Sequence, residues 1–256
     1  MTKTWLIRSL PWLVTLGAIV LWELVCRVFA IEEVILPPPT SVARSMVQYW
    51  QPIAYHSGQT LMTTMIGFAI AVAFGLALGL FVGAWRTLYD ALYPLMVAFN
   101  AIPKVAIVPV LIIWFGIGTV PAILTAFLIS FFPIVVNVAT GLATIEPELQ
   151  DVMRSLGARK LQIMWKIGIP RAMPYFFASL KVAITLAFVG SVVSETVGSN
   201  AGIGYLMLAA NARFDVPLVF AGLVVIAVMG VVMYELFVAI ERRVTFWATR
   251  GHEIVT

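Results

Sequence analysis

The 256-residue sequence has one cysteine, two histidines and few charges, with Asp, Glu, Lys and Arg together making up only 11%. The lone Cys26 lies in an apolar stretch, which excludes a disulfide framework and leaves the redox compartment unread. His56 and His252 stand far apart, and no Cys/His cluster, His-Glu-x-x-His or Gly-x-Ser-x-Gly occurs, so neither a metal site nor catalysis is legible. No Gly-x-x-x-x-Gly-Lys-[Ser/Thr] loop is present, so the chain is not expected to hydrolyse ATP. The net charge of +4 comes without a basic stripe, which argues against a nucleic-acid surface. No solenoid repeat or low-complexity tract occurs.

What is abundant is apolar side chain, at 62% against about 45–50% in a soluble domain. A globule of this size cannot hide that much, so the excess must face lipid. Crossing the hydrocarbon core takes about 20 mostly apolar residues, and six stretches qualify: roughly 10–30, 61–85, 88–115, 120–142, 176–197 and 217–240. The sequence therefore predicts an all-α polytopic membrane protein of about six transmembrane helices, forming one transmembrane domain over 1–256. The start resembles a signal peptide, but no small-x-small site follows Lys3, Arg8 and the apolar run, so an uncleaved first span is expected. Gly67, Gly75, Gly79 and Gly83 give the second span a face that admits close helix approach. Pro94, Pro103 and Pro109 must kink or break the third, and Pro133 lies inside the fourth.

With a cytoplasmic N-terminus, the inside segments hold Lys3, Arg8, Arg86, Arg154, Arg159, Lys160, Lys166, Arg171, Arg242, Arg243 and Arg250. The outside segments hold Arg27, Arg44 and Arg213. This positive-inside bias puts both termini in the cytoplasm. The outside segment 31–60 carries Pro37, Pro38 and Pro39, and reads as a rigid turn. An amphipathic helix capped by Thr40 or Ser41 should follow it on the outer interface. The inside segment 143–175 reads as two short amphipathic helices joined at Gly157. Pro147, Glu148 and Asp151 suit the first turn of one, and Leu149, Val152, Met153 and Leu156 form its apolar face. The second runs through Leu161, Met164, Trp165 and Ile167 up to Pro170.

This inside loop resembles the cytoplasmic signature of type I ABC importer permeases, Glu-Ala-Ala-x3-Gly-x9-Ile-x-Leu-Pro. Asp151, Val152 and Met153 stand at the first three positions, Gly157 at the glycine, and Ile167, Ile169 and Pro170 at the end. The stretches Asn100–Pro109 with Trp114-Phe115-Gly116, Val193–Thr196 with Gly202–Leu206, and Leu36–Pro39 resemble the branch of nitrate, taurine, alkanesulfonate and pyrimidine-precursor permeases. The resemblance implies a MetI-like permease fold in the bacterial cytoplasmic (inner) membrane. It also implies a second copy of the chain, two cytoplasmic ATPase subunits that bind ATP and magnesium, and an external solute-binding protein. It makes the first loop helix a coupling helix, with Glu148, Asp151, Val152, Arg154, Ser155, Leu156, Gly157 and Ala158 at the ATPase contact. No cofactor is expected in this chain.

Other polar residues keep two readings. Glu195, near the outer end of the fifth span, either reaches interfacial water or serves a gate or docking surface at the external mouth. Lys104, beside Pro103 in the broken span, either meets an anionic substrate or snorkels or pairs with a carbonyl. Asn100, Asn137 and Thr140 either line a pathway or join helices. The Gly202–Gly204 segment reads as a tight outer turn, Lys181 as a snorkelling cation, and Glu23 and Glu235 stay unassigned. The expected activity is import of a small anionic or heterocyclic organic solute by alternating access. An ion-driven transporter or channel is the alternative, marked by paired broken helices, and a membrane enzyme is a third class.

Overall fold

The computed structural model describes residues 2–245; Arg250 and His252 lie outside them. All regular structure among the described residues is helical. The chain begins with α1 (Thr2–Val28), α2 (Pro39–Gln48) and α3 (Trp50–Gly83), followed by α4 (Arg86–Ala101). A 3₁₀ turn (Lys104–Ile107) leads into α5 (Val108–Phe115) and α6 (Thr119–Ala143). Next come α7 (Pro147–Ser155), α8 (Lys160–Ile163), a π turn (Met164–Gly168) and α9 (Ile169–Gly198), then α10 (Ile203–Asn211) and α11 (Val216–Val244).

The core is a packed sheaf of α3, α6 and α9. Gly67, Ala71, Gly75, Gly79 and Gly83 recur every four residues along α3, and the facing row on α6 contains Ala126, Ile134, Val138 and Leu142. Two i±4 rows thus pack against each other. The backbones come so close that a Cβ added at Gly79 would lie 2.8 Å from Val138 Cβ, and one at Gly75 2.9 Å from Ile134 Cβ. Membrane helices gain little from expelling lipid, so this contact area supplies much of their cohesion. Phe188 and Met233 carry the core on to α11. By contrast, α1 leaves Leu13, Val14, Leu16 and Val20 exposed and touches the bundle through Trp22, whose ring lies 5.8 Å from that of Phe220.

Among the described residues α3, α6, α11 and the continuous run Lys160–Gly198 are long and apolar enough to cross a membrane. The α4–α5 pair, bent by 69°, meets the same test only when its two helices are taken together, as a broken span or a re-entrant loop. The bend falls where Pro103 removes a backbone donor, as the proline spacing predicts. The remaining expected span, at 10–30, falls on α1.

Four local expectations are corrected. The helix after the triple proline is capped at Pro38 without a side-chain bond. Thr40 lies inside it and gives both its N–H and its hydroxyl to Glu23. Helix α3 starts at Trp50, eleven residues before the apolar run that marked it, so 50–60 is continuous with the second span. Pro170 does not stop the second loop helix. The π turn, with Ile169 N–H bonded to Met164 O, absorbs the missing proline donor, so α8 runs on into the fifth span. Finally, the outer turn after Gly202 is a helix, α10.

Candidate functional site

Three places hold the singled-out residues. The first is the corner at α7. Its C-terminus closes with Ala158 N–H bonded to Met153 O and Gly157 N–H to Arg154 O, each at 2.9 Å, with Gly157 at φ +81°. This is a Schellman stop, whose left-handed residue favours glycine. The apolar face expected on α7 is split. Leu149 and Met153 are half-buried, whereas Val152 and Leu156 stand 56% and 76% exposed. Glu148, Asp151, Arg154 and Ser155 are exposed beside them. Arg154 pairs with Asp151 at 3.0 Å, and the Ser155 hydroxyl bonds Val152 O at 2.8 Å. Ala158, past the corner, is half-buried. The predicted coupling residues therefore form one compact protruding surface, and Gly157 joins it to the helix that becomes the fifth span.

The second place is the break after α4. Lys104 Nζ bonds the Asn100 carbonyl at 3.3 Å and its Oδ1 at 3.0 Å, and lies 5.4 Å from the centre of the Phe132 ring. It sits at the edge of an apolar cleft of about 520 Å³ lined by Phe74, Phe99, Phe131 and Phe132. Pro103 precedes Lys104 as the N-cap of the 3₁₀ turn. Asn137 is not drawn into the group, because its amide bonds Pro133 O on its own helix at 2.8 Å. Thr140 pairs with the Tyr89 hydroxyl at 3.1 Å, joining α6 to α4.

The third place is Glu195, which is 1% exposed. It is therefore closed off from water. Its carboxylate accepts from Thr60 Oγ1 at 2.8 Å, Thr63 Oγ1 at 3.4 Å and Gly204 N–H at 3.1 Å. Ile203 N–H bonds Thr60 Oγ1 at 2.8 Å, and Gly202 N–H bonds His56 Nδ1 at 3.1 Å. Three successive backbone donors at the start of α10, unpaired within any helix, thus find acceptors on α3 and α9. The Glu195 knot fastens α10 to both.

Residues 71–246 match the model of the family described as binding-protein-dependent transport system inner membrane component. The chain belongs to this family. Among its relatives is a probable ABC transporter permease protein of Haemophilus influenzae, 32% identical over 89% of this chain and 94% of the relative. The riboflavin transport system permease protein RibX of Chloroflexus aurantiacus is 33% identical over 90% of this chain and 86% of its own length. The formylaminopyrimidine transport permease protein ThiX of Halalkalibacterium halodurans is 29% identical over 93% and 95%. An inward-facing structure of the MetNI methionine ABC transporter has the same fold, with a TM-score of 0.67 at 21% identity over 77% of this chain and 98% of that chain.

The permease is thus a multi-pass membrane subunit of the type I ABC importer branch and is not itself an enzyme; ATP hydrolysis belongs to a partner subunit. The broken α4–α5 pair stands alone among its described residues, without the second broken helix that an ion-driven design calls for. His56 and Thr60 were missed in the sequence. Their signal was the row His56, Thr60, Thr63, three polar residues on one face near the start of α3. Lys181, expected to snorkel, pairs with Glu241 at 2.6 Å, and Glu23 pairs with Arg27 at the same distance. Glu235 is exposed on α11.

Proposed function

We propose that this permease works as a pair of identical copies, with both termini in the cytoplasm, importing a small anionic or heterocyclic organic solute by alternating access. Two ATPase subunits drive the motion by gripping α7, and an external binding protein delivers the solute. The observation that carries this reading is the exposed Val152–Leu156 surface on a short helix, turned at Gly157 into the helix that runs to Gly198. Apolar side chains exposed where water meets the membrane call for a protein partner. A rigid corner between that surface and a span carries rotation from one to the other.

The solute class rests on two supports. Relatives carry the names of riboflavin, formylaminopyrimidine and taurine permeases. Here Lys104 stands over Phe132 beside an apolar aromatic cleft, a combination suited to an anion with an apolar or ring-shaped body. Tagged permease is to be isolated from its native membrane with and without Leu156→Asp. ATPase subunits at one per permease copy, lost in the variant while the pair stays intact, are the expected result. Wild-type permease recovered alone, under conditions that keep other importers whole, would end this reading. In vesicles with the complete importer, Lys104→Gln should raise the KM for a sulfonate more than for neutral riboflavin.

A further inference from the structure

A second cleft, of about 390 Å³, opens between α7 and the adjoining ends of α3 and α6. Its wall carries three cations from three separate elements: Arg86 at the start of α4, Arg154 on α7 and Lys160 on α8. None belongs to the Lys104 cleft, and of the three Arg154 alone is shared with the residues expected at the ATPase contact. Every carboxylate paired with them is exposed. Arg86 pairs with Asp90 at 3.2 Å and Arg154 with Asp151 at 3.0 Å. Exposed pairs of this kind are worth little and exchange readily for a better anion. Lys160 has no carboxylate partner among the described residues, and its ammonium stands 4.9 Å from the centre of the Trp85 ring. Three cations against two exposed carboxylates leave the cleft positive.

The depth of the cleft is marked by Trp85, half exposed just past the end of the 34-residue α3 and packed on Phe81, 5.5 Å between ring centres. Tryptophan at the end of a span sits at headgroup level. Phe81 is itself exposed. Leu142 and Ile163 form an apolar floor, and Arg86 reaches across to bond Ala143 O at 3.2 Å, tying the cleft to the end of α6. Guanidinium forks and an ammonium around a headgroup-level opening, beside exposed aromatic surface, match the requirements of a phosphodiester whose acyl chains lie along Phe81 and Trp85.

We propose that this cleft is a binding site for a phosphate-type oxyanion, supplied by the headgroup of an anionic phospholipid. The bound anion bridges Arg154 on α7 and Lys160 on α8 to Arg86 at the start of α4, whose bond to Ala143 O ties it to the end of α6. It thereby stiffens the corner through which α7 meets the fifth span.

The test uses the purified complete importer, wild type and Arg86→Gln/Lys160→Gln, exchanged into mixed micelles of phosphatidylglycerol and phosphatidylcholine and weighed by native mass spectrometry. Neither residue belongs to the exposed Val152–Leu156 surface. Wild type should keep phosphatidylglycerol in preference to phosphatidylcholine, and the preference should fall roughly five-fold for each charge removed. A parallel arm titrates inorganic phosphate without lipid. Protection of the wild-type corner from proteolysis by phosphate alone, with no lipid retained, would keep the oxyanion site and move its source to solution. Equal retention of both lipids with no phosphate effect overturns the proposal. Loss of the ATPase subunits from the double variant at unchanged lipid retention also overturns it, because the cations then serve a protein contact. ATPase subunits that stay bound while the lipid preference disappears separate this site from the coupling reading.

Discussion

The hydroxyl of Thr60 stands 2.8 Å from the Glu195 carboxylate and 2.8 Å from Ile203 N–H, donating to the first and accepting from the second. One side chain on α3 thereby links α9 to the start of α10. Thr60→Val keeps the shape and removes both bonds, leaving the buried Ile203 N–H unpaired and the carboxylate oxygen with Gly204 N–H alone. The expected loss is on the order of 1–3 kcal/mol for the unpaired N–H, read as a lower thermal midpoint of the purified complex. Thr60→Ser should stay near wild type. A valine variant as stable as the parent would show that the knot contributes nothing.

Gly202 and Gly157 both adopt positive φ, +104° and +81°, but for different surroundings. A Cβ at Gly202 would run into the Glu195 carboxyl group, whereas nothing lies within 4 Å of one at Gly157. Gly202→Ala should therefore disrupt the α10 junction and lower the yield of folded permease. Gly157→Ala should cost only the left-handed penalty, about 1–2 kcal/mol, and leave the spans intact. Limited proteolysis at the α7 corner against whole-protein thermal stability distinguishes the two.

Along α3 the same substitution should have opposite consequences at two glycines. Gly79→Ala pushes a methyl to 2.8 Å from Val138 Cβ and 3.0 Å from Val135 O, and should destabilise by about 1–3 kcal/mol. Gly58→Ala has nothing within 4 Å and should be neutral or stabilising by up to about 1 kcal/mol, because alanine favours the helix. Equal midpoints for both variants would contradict the close α3–α6 packing.

Lys181 and Glu241 join α9 to α11 at 2.6 Å, each only about one-fifth exposed. Removing one partner strands the other in a poorly hydrated place, while removing both does not. Lys181→Met should therefore lower stability more than the Lys181→Met/Glu241→Met double variant does. Additive losses in that cycle would mean the two charges act independently.

The α3 glycine row, the break at Pro103 and the glycine corner at 157 were all legible in the sequence, because each depends on residues close together along the chain. The loop signature from Asp151 to Pro170 was legible for the same reason, since its spacing is set by one helix, one turn and the next helix. Less was visible where one element answers another. Thr40 looked like a helix cap until Glu23 took its hydroxyl, and Lys181 looked unpaired until α11 brought Glu241 to it. Pro170 looked like a stop because a proline cannot continue an α-helix, and the π turn that accommodates it leaves no mark in the pattern of side chains.

Composition and apolar runs of about 20 residues determined that this chain is helical and lipid-embedded. So much apolar surface has no other stable solvent, and a helix satisfies its backbone within one segment. Tertiary structure alone decided what happens at Glu195. Distance along the fifth span says how deep that carboxylate lies, but not what covers it. The cover is α10, nine residues too short to declare themselves as a helix, whose leading N–H groups are held by acceptors on His56 and Thr60 more than a hundred residues away.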